Sequence, residues 1–333
     1  MRKLNLAILG ATGAVGREML RLVEEYELSV ERLVLLAGEK SAGTFLEYRG
    51  ETLRVQAARD ESFEGLDYVL GAAEPEIAQR FAPAIQRAGA VLIDNSSAFR
   101  LDPEVPLVVP EINGADAKTH HGLIANPNCS TVITLMTVAA IHALSPIESM
   151  VVSTYQAVSG AGTRGLLALD EELREALRSE YPNSGVFPAP IAMNVIPHIG
   201  SRLENGYTDE EMKLQNESRR ILHSPALRVS CTCVRVPVQR SHSIAVNLFT
   251  REALELQAVE DALRRFPGIA LGGNGDRDFP TPLDAAGDDL VRVGRLRRDL
   301  TRENGLSLWC CGDQLRKGAA ANALQILQYL EQH

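Results

Sequence analysis

The sequence lacks paired cysteines, a long hydrophobic run and an excess of positive charge, and each absence excludes a class of protein. Its five cysteines are odd in number and show no CxxC spacing, so we predict neither a disulfide framework nor a bound metal. No apolar run reaches the ~20 residues that cross a bilayer. A formal net charge of -9 argues against nucleic acid or an anionic membrane as the main partner.

The N-terminus shows no signal-peptide pattern. The chain runs directly into a strand-like segment, with neither an apolar h-region nor a small-residue cleavage site. We therefore expect a cytoplasmic protein. With 333 residues, of which 45% are hydrophobic and 23% charged, the chain is long enough for two globular domains.

Short apolar segments alternate with amphipathic segments in the first part of the chain. This alternation predicts parallel strands joined by helices, as in a Rossmann-like α/β domain. We expect residues 1–127 to form this domain, together with a C-terminal segment, residues 314–333, whose helical pattern covers 317–331. Strands are predicted at residues 4–9, 33–37, 68–72 and 90–94, and helices at 17–26 and 77–87.

The second part of the chain shows a different pattern. We expect residues 128–313 to form an α+β domain with a mixed or antiparallel sheet packed on helices. Segments 228–238 and 243–250 are separated by a short polar turn, which predicts a β-hairpin. Further strands are predicted at residues 151–155, 290–296 and 306–310, and helices at 166–178, 209–223 and 258–265.

A glycine-rich loop follows the first predicted strand and precedes the first predicted helix. Its spacing is GxxGxxG rather than GxGxxG, so the strand-turn-helix context carries the prediction. Glycine lets the backbone approach a pyrophosphate, whose charge the helix N-terminus stabilises. An ordinary glycine-rich turn is the alternative. The predicted dinucleotide-binding residues are Gly10, Thr12, Gly13, Ala14, Val15 and Gly16.

The end of the second predicted strand carries groups of both signs. Glu39 suits the ribose 2′-hydroxyl of NAD, whereas Lys40 and Ser41 suit the 2′-phosphate of NADP. The residue types alone leave this choice open.

One cysteine stands at a predicted strand-to-helix junction. Cys129 lies between the apolar run 123–125 and a helix-like segment that begins at Val132. Backbone N–H groups and the helix dipole favour a thiolate there, and the thiolate is the nucleophilic form. The alternative is a buried structural cysteine. We interpret the other four cysteines as buried structural residues: Cys231, Cys233, Cys310 and Cys311.

Three further groups suit a reactive cleft. Gln156 follows a predicted strand, beside the tight glycine loop 159–162. Arg235 and His242 flank the turn of the predicted hairpin, close enough in sequence to face one cleft. His242 is the best general acid/base candidate, because the unperturbed pKa of histidine lies near neutrality. A hydrogen-bonded surface histidine is the alternative.

Several ordered motifs resemble those of aspartate-semialdehyde dehydrogenase along nearly the whole chain. Together they are far more specific than any one of them alone. The motifs are residues 10–16 (GATGAVG), 94–100 (DNSSAFR), 109–113 (VPEIN), 126–131 (NPNCST), 153–162 (STYQAVSGAG), 194–197 (NVIP), 233–238 (CVRVPV) with His242, and 316–320 (RKGAA).

The resemblance implies a role for each reacting group. Cys129 resembles the nucleophile, and Asn128 lies in the segment that supports it. His242 resembles the acid/base group, and Gln156 the residue that orients the acyl intermediate.

The resemblance also implies how the substrate is bound. Arg235 resembles the guanidinium that pairs with the α-carboxylate, and Glu210 the carboxylate that faces the α-ammonium. Arg100 and Lys213 resemble the phosphate ligands. These residue types suit aspartyl phosphate, which carries two anionic groups and one cationic group. The alternative for Glu210 and Lys213, three apart on a predicted helix, is a solvated ion pair.

Gly160 and Gln314 resemble cofactor-binding residues of the family. At four positions, however, the chain differs from the family pattern. Lys40 occupies a position where the family usually has arginine, and Gly38 one where it usually has serine. Gln314 stands for asparagine, and Ser241 for glycine or alanine. Lysine offers a point charge rather than a fork. Lys40 thus discriminates less strongly for NADP than the usual arginine would, and we favour NADP as the cofactor, with NAD also possible.

The implied reaction is the reductive dephosphorylation of L-aspartyl 4-phosphate to L-aspartate 4-semialdehyde through a cysteine thioacyl enzyme, with release of phosphate. It belongs to lysine, methionine and threonine synthesis. The family also implies a homodimer, with a tetramer possible, and a second domain that serves catalysis and dimerisation. One alternative is N-acetyl-glutamyl-phosphate reductase, whose acylated amine would not need a carboxylate such as Glu210. A catalytically silent paralogue is the other, although Cys129, Gln156, Arg235 and His242 are all present.

Overall fold

The computed structural model describes residues 2–178, 180 and 184–333. The chain forms two compact units. The first comprises Met1–Asn128 with Ala319–His333, and the second comprises Cys129–Gly318.

The boundary near the C-terminus differs from the predicted one, because residues 314–318 lie in the second unit. Two side chains explain the difference. Gln314 Nε2 donates to Ser159 Oγ, and Arg316 Nε donates to Asp289 Oδ1 at 2.7 Å, both within the second unit.

The first unit is built on a parallel sheet, which confirms the predicted Rossmann-like class. Its strands are β1 (Leu4–Leu9), β2 (Val30–Ala37), β3 (Phe45–Tyr48), β4 (Glu51–Arg54), β5 (Gln56–Ala57), β6 (Tyr68–Gly71), β7 (Val91–Asp94) and β8 (Leu123–Ala125). The sheet order is β5-β2-β1-β6-β7-β8, and every neighbouring pair is parallel. Strands β3 and β4 form a separate antiparallel pair. The helices are α1 (Ala14–Glu25), α2 (Pro75–Arg87), the short α3 (Pro110–Asn113) and the C-terminal helix (Ala321–Gln332).

The core of the first unit is aliphatic. Leu6 and Ile8 of β1 are fully buried, and Met19 and Leu22 of α1 pack in the same cluster with Leu324 of the C-terminal helix. Burying each such side chain contributes about 1.5–3 kcal/mol. This packing fixes the carboxyl ends of the parallel strands, which is the edge where ligands bind in such sheets.

The second unit combines helices with a mixed sheet, which confirms the predicted α+β class. Its helices are α4 (Cys129–Leu144), α5 (Gly162–Ala176), α6 (Asp209–Ile221), α7 (Leu256–Arg265) and the short α8 (Pro282–Ala285). Its strands are β9 (Ile147–Gln156), β10 (Arg228–Arg235), β11 (His242–Thr250), β12 (Ile269–Leu271), β13 (Val291–Arg298) and β14 (Gly305–Gly312).

The predicted hairpin between the strands now labelled β10 and β11 is wrong. The sheet order is β10-β9-β11-β14-β13-β12, so β9 lies between them. Strand β9 pairs in parallel with β10 and antiparallel with β11. Neighbouring strands lie only ~4.8 Å apart, so a connection as long as residues 236–241 can pass over one strand. A local turn pattern cannot distinguish this crossover from a hairpin.

Within residues 2–178, 180 and 184–333, no helix has both the length and the apolar character needed to cross a bilayer. The same residues contain no cluster of three or more His, Cys, Asp or Glu side chains that could hold a metal ion.

Candidate active site

The glycine-rich loop of the first unit has the predicted strand-turn-helix geometry. Helix α1 begins at Ala14, directly after N-cap Gly13. Gly10 has φ +89°, and a Cβ there would lie 2.5 Å from a neighbouring backbone oxygen. A Cβ on Gly16 would lie 2.2 Å from Gly10 O. Side chains are therefore excluded at both positions, and the backbone at the N-terminus of α1 suits a pyrophosphate.

Three other predicted residues lie in the same turn. Thr12, Ala14 and Val15 are half-buried. Thr12 O accepts a hydrogen bond from Arg17 Nε at 3.0 Å. This bond links the loop to the first turn of α1.

The segment after β2 carries the residues predicted to distinguish NAD from NADP. A short 3-10 turn, Glu39–Ser41, contains exposed Lys40 and half-buried Ser41. Arg59 Nη2 lies 3.3 Å from Glu39 Oε1, and both side chains are exposed. A second cation, which the sequence analysis did not identify, therefore lies beside the carboxylate that would hold a 2′-hydroxyl.

Arg100 is buried in the first unit and bound to backbone. Its Nε donates to Asn126 O at 3.0 Å, and its Nη2 donates to Asn95 O at 2.6 Å. Asn95 follows β7, and Asn126 follows β8, so Arg100 joins the carboxyl ends of two neighbouring strands. Asn128 is also buried, and it lies two residues after Asn126, where the range Met1–Asn128 of the first unit ends.

Cys129 is the first residue of α4, which begins three residues earlier than the sequence pattern indicates. The thiol is half-buried, whereas the helix behind it is buried along most of its length. A Cβ on Gly318 would lie 2.9 Å from Cys129 Cβ, so the backbone of residue 318 closes against the cysteine. The helix N-terminus stabilises negative charge on the sulfur.

His242 opens β11 and is completely buried. Its Nε2 lies 3.4 Å from Cys129 Sγ, within the range of a hydrogen bond to sulfur. Burial, together with the positive charge of Arg235, holds the pKa of His242 well below its usual range. The imidazole is therefore neutral near pH 7.

One backbone contact defines the tautomer of that neutral imidazole. The N–H of Ala157 donates to His242 Nδ1 at 3.1 Å. A backbone N–H can only donate, so Nδ1 must carry the lone pair and Nε2 the proton. His242 therefore presents an N–H donor to Cys129 Sγ.

Gln156 ends β9 and is buried beside the cysteine helix. Its Nε2 donates to Ser130 Oγ at 2.6 Å and to Glu210 Oε1 at 3.3 Å. These two bonds use both amide hydrogens and fix the orientation of the side chain. The hydroxyl of Ser130 is thus a part of the site to which the sequence analysis assigned no role.

Arg235 ends β10 directly opposite Gln156 in the parallel register. Its Nη1 donates to Ala157 O at 2.6 Å, and its guanidinium lies over the Phe187 ring at 5.8 Å. A Cβ on Gly160 would lie 2.8 Å from Arg235 Nη1, so glycine leaves the space that the guanidinium occupies. Burial lowers the pKa of Arg235, although Glu210 opposes this effect, and an arginine stays charged.

Glu210 and Lys213 share one face of α6, as the spacing predicts. Lys213 Nζ lies 3.0 Å from Glu210 Oε2 and 3.1 Å from Asp209 Oδ2. Burial works against the charge of Lys213, but the two carboxylates raise its pKa overall. Glu210 is only 9% exposed and also contacts Gln156, so the pair is not the solvated surface pair that was the alternative.

Gln314 is buried and hydrogen-bonded at both ends of its amide. Its Oε1 accepts from the Ser241 N–H at 2.8 Å, and its Nε2 donates to Ser159 Oγ. Ser159 is a further residue that the sequence analysis did not assign. Its partner lies 155 positions away in sequence, so no local pattern identifies this contact.

The other four cysteines are buried, at 0–4% exposure. Burial raises the pKa of Cys310 to about 12 and that of Cys311 to about 11. Hydrogen bonding between Cys231 and Cys233, whose sulfurs lie 3.7 Å apart, raises the pKa of Cys231 further. Cys231, Cys310 and Cys311 are therefore protonated near pH 7, and none of the four lies at a half-buried helix start as Cys129 does.

Comparison with known proteins matches one family model to each of the two units. Residues 5–120 match the family model "Semialdehyde dehydrogenase, NAD binding domain", and residues 138–317 match "Semialdehyde dehydrogenase, dimerisation domain". The class is therefore a two-domain oxidoreductase that binds a nicotinamide dinucleotide.

Full-length relatives narrow that class. Aspartate-semialdehyde dehydrogenase of Synechocystis sp. is 46% identical over 98% of this chain and 97% of its own. The Bacillus subtilis enzyme is 42% identical over 99% and 98%. A crystal structure of aspartate semialdehyde dehydrogenase II from Vibrio cholerae, complexed with ASA, superposes with a TM-score of 0.96 at 41% identity, covering 100% of this chain and 99% of that one. The chain belongs to the aspartate-semialdehyde dehydrogenase family.

Proposed function

We propose that this chain converts L-aspartyl 4-phosphate to L-aspartate 4-semialdehyde, with Cys129 as the nucleophile. The observation that carries the proposal is the 3.4 Å separation between Cys129 Sγ and His242 Nε2 at the start of α4. Membership of the family supports the substrate class.

The first step forms a thioester on Cys129. The thiolate attacks the acyl carbon, the bond from that carbon to the phosphate oxygen breaks, and phosphate leaves with the electron pair. His242 Nε2–H hydrogen-bonds to the sulfur and stabilises its negative charge before attack. Gln156, held by Ser130 and Glu210, orients the acyl group.

The second step reduces the thioester. When bound, the nicotinamide would supply the hydride that adds to the acyl carbon. The resulting hemithioacetal oxyanion collapses, the C–S bond breaks, and its electron pair returns to Cys129 as thiolate. Neither step delivers a proton to the cysteine. We therefore propose that His242 acts as an N–H donor to negative charge, the acid side of its implied acid/base role.

Three charged side chains of the second unit suit the substrate. The Arg235 fork, held by Ala157 O, pairs with the α-carboxylate. Glu210 faces the α-ammonium, and Lys213 supplies positive charge for the phosphate. The resemblance further implies that Asn128 lies in the segment that supports the nucleophile and that Arg100 is a second phosphate ligand.

We also propose NADP as the preferred cofactor. Gly10, Gly13 and Gly16 would bind its pyrophosphate, and Lys40 with Ser41 its 2′-phosphate. The carboxylate of Glu39, which would favour NAD, already pairs with Arg59. The net effect is a cationic surface around the 2′ position, which favours the phosphate.

The family model for residues 138–317 describes a dimerisation domain. We propose a homodimer, with a tetramer as the next state to test. We propose a cytoplasmic location, because reducing compartments keep cysteines unpaired and none of the five, all within the described residues, forms a disulfide.

A steady-state assay tests the reaction. The chain is expected to oxidise aspartate semialdehyde in the presence of phosphate, faster with NADP than with NAD. N-acetylglutamate semialdehyde serves as the comparison substrate, because it lacks the ammonium that Glu210 would face. Higher kcat/KM with the acetylated substrate would refute the assignment of substrate.

A further inference from the structure

Ser241 holds a backbone conformation that most residues avoid. Its φ is +73°, its side chain is fully buried, and it directly precedes His242. A non-glycine residue keeps left-handed backbone only where its surroundings hold it, and such positions cluster at functional sites. In the described part of the chain, Ser241 Oγ has no hydrogen-bond partner. The serine hydroxyl therefore does not explain the conformation.

The side chain of Gln314 supplies the restraint. Its Oε1 accepts the Ser241 N–H at 2.8 Å, and its Nε2 donates to Ser159 Oγ. Ser159 Oγ in turn donates to Gln239 O. A single amide, 2% exposed, thus ties the loop after β9 to the connection before β11.

The hydrogen bonds of Gln314 restrain the two segments that contain Ala157 and His242, and the contact between these two residues defines the tautomer of His242. Ala157 lies two positions before Ser159, and His242 follows Ser241. The Ala157 N–H donates to His242 Nδ1 at 3.1 Å. Val158 N donates to Val238 O at 2.8 Å, which adds a second link between the same loops.

We propose that Gln314 is a positioning residue, which holds His242 in the tautomer with its proton on Nε2. The inference rests on the proposed function, in which this N–H faces Cys129 Sγ. It also gives Gln314 a role different from the cofactor contact that the family resemblance implies. An asparagine is one methylene shorter, so it can keep only one of the two hydrogen bonds.

The variant Gln314→Asn tests the proposal, with Gln86→Asn as the matched control. Gln86 makes one hydrogen bond, to His121 O at 2.8 Å, in the first unit. Long-range 1H–15N spectra of histidine-labelled protein report the tautomer directly, and His242→Gln assigns the signal. An equilibrium fluorescence titration gives the Kd for NADPH, and steady-state assays give kcat and KM.

The wild type is expected to show the Nε2–H pattern. In Gln314→Asn a fraction of His242 should move to the Nδ1–H tautomer, and kcat should fall about 10- to 100-fold. KM and the Kd for NADPH should stay within about twofold, as a positioning role requires. The control should match the wild type in all four quantities.

The variant Ser159→Ala removes the hydroxyl that accepts the hydrogen bond from Gln314, and it tests the proposal if Gln314→Asn does not fold. It should shift the tautomer in the same direction. An unchanged tautomer in the folded variants overturns the proposal, as does a weakened Kd for NADPH with kcat retained. The spectra need no substrate, so a wild type that fails to oxidise aspartate semialdehyde would refute the proposed function and not this inference.

Discussion

Replacing Arg235 by lysine separates the geometry of the substrate-binding group from its charge. Lysine keeps one positive charge but cannot offer two parallel N–H donors. The wild-type fork is fixed by Ala157 O at 2.6 Å and by the ring of Phe187. The variant therefore retains attraction for a carboxylate and loses one directed bond.

The size of the effect follows from that lost bond. A hydrogen bond to a charged group contributes about 1.5–3 kcal/mol. At about 1.4 kcal/mol per factor of ten, KM for aspartate semialdehyde should rise roughly 10- to 150-fold. Loss of the Arg235–Ala157 contact, which also involves a charged donor, should lower the free energy of unfolding by about 1.5–3 kcal/mol.

Steady-state kinetics with saturating cofactor measure the change in KM. Arg174→Lys is the matched control, because that side chain is 71% exposed and pairs with Asp170 on the surface of α5. The Kd for NADP should be the same in both variants and the wild type. A KM within twofold of the wild type in a folded Arg235→Lys variant would show that Arg235 does not bind the substrate carboxylate.

Three further predictions concern protonation and the cofactor. The pKa of His242 is depressed in the folded chain, so the unfolded chain binds one more proton than the folded chain as the pH falls below about 6.5. The free energy of unfolding should therefore fall by up to about 1.4 kcal/mol per pH unit until the folded pKa is reached. Thermal unfolding of His242→Gln between about pH 7.5 and pH 5.5 should show a shallower decline than the wild type; equal slopes contradict a buried neutral imidazole. Lys40→Arg should raise the NADP-to-NAD ratio of kcat/KM several-fold, and an unchanged ratio argues against Lys40 at the 2′-phosphate. Gly16→Ala should prevent normal folding, since its Cβ would lie 2.2 Å from a backbone oxygen, whereas Gly13→Ala, at 3.4 Å, should fold like the wild type and weaken only the binding of the dinucleotide.

Features encoded by short stretches of sequence were predictable. Apolar strands followed by amphipathic helices indicated the parallel sheet, and the glycine spacing indicated the turn into α1. Cys129 was expected at a helix start, and it is the first residue of α4. Each of these features depends on neighbours within a few positions.

Contacts between distant segments were not predictable in the same way. The order of β10, β9 and β11 depends on packing of the whole sheet, so the hairpin prediction was wrong. The Arg59–Glu39 pair and the Gln314–Ser159 contact join residues 20 and 155 positions apart. The orientation of His242 depends on one backbone N–H from the loop after β9, which no residue type in the sequence reveals.

The covalent role of Cys129 can be tested by mass spectrometry of the protein mixed with aspartyl phosphate and no cofactor. Acylation should add one aspartyl group to the peptide that contains residue 129, with release of one phosphate per chain. Addition of NADPH should remove the group as semialdehyde, and Cys129→Ser should bind NADPH but gain no thioester. A turnover-competent enzyme whose Cys129 is never acylated would contradict the account.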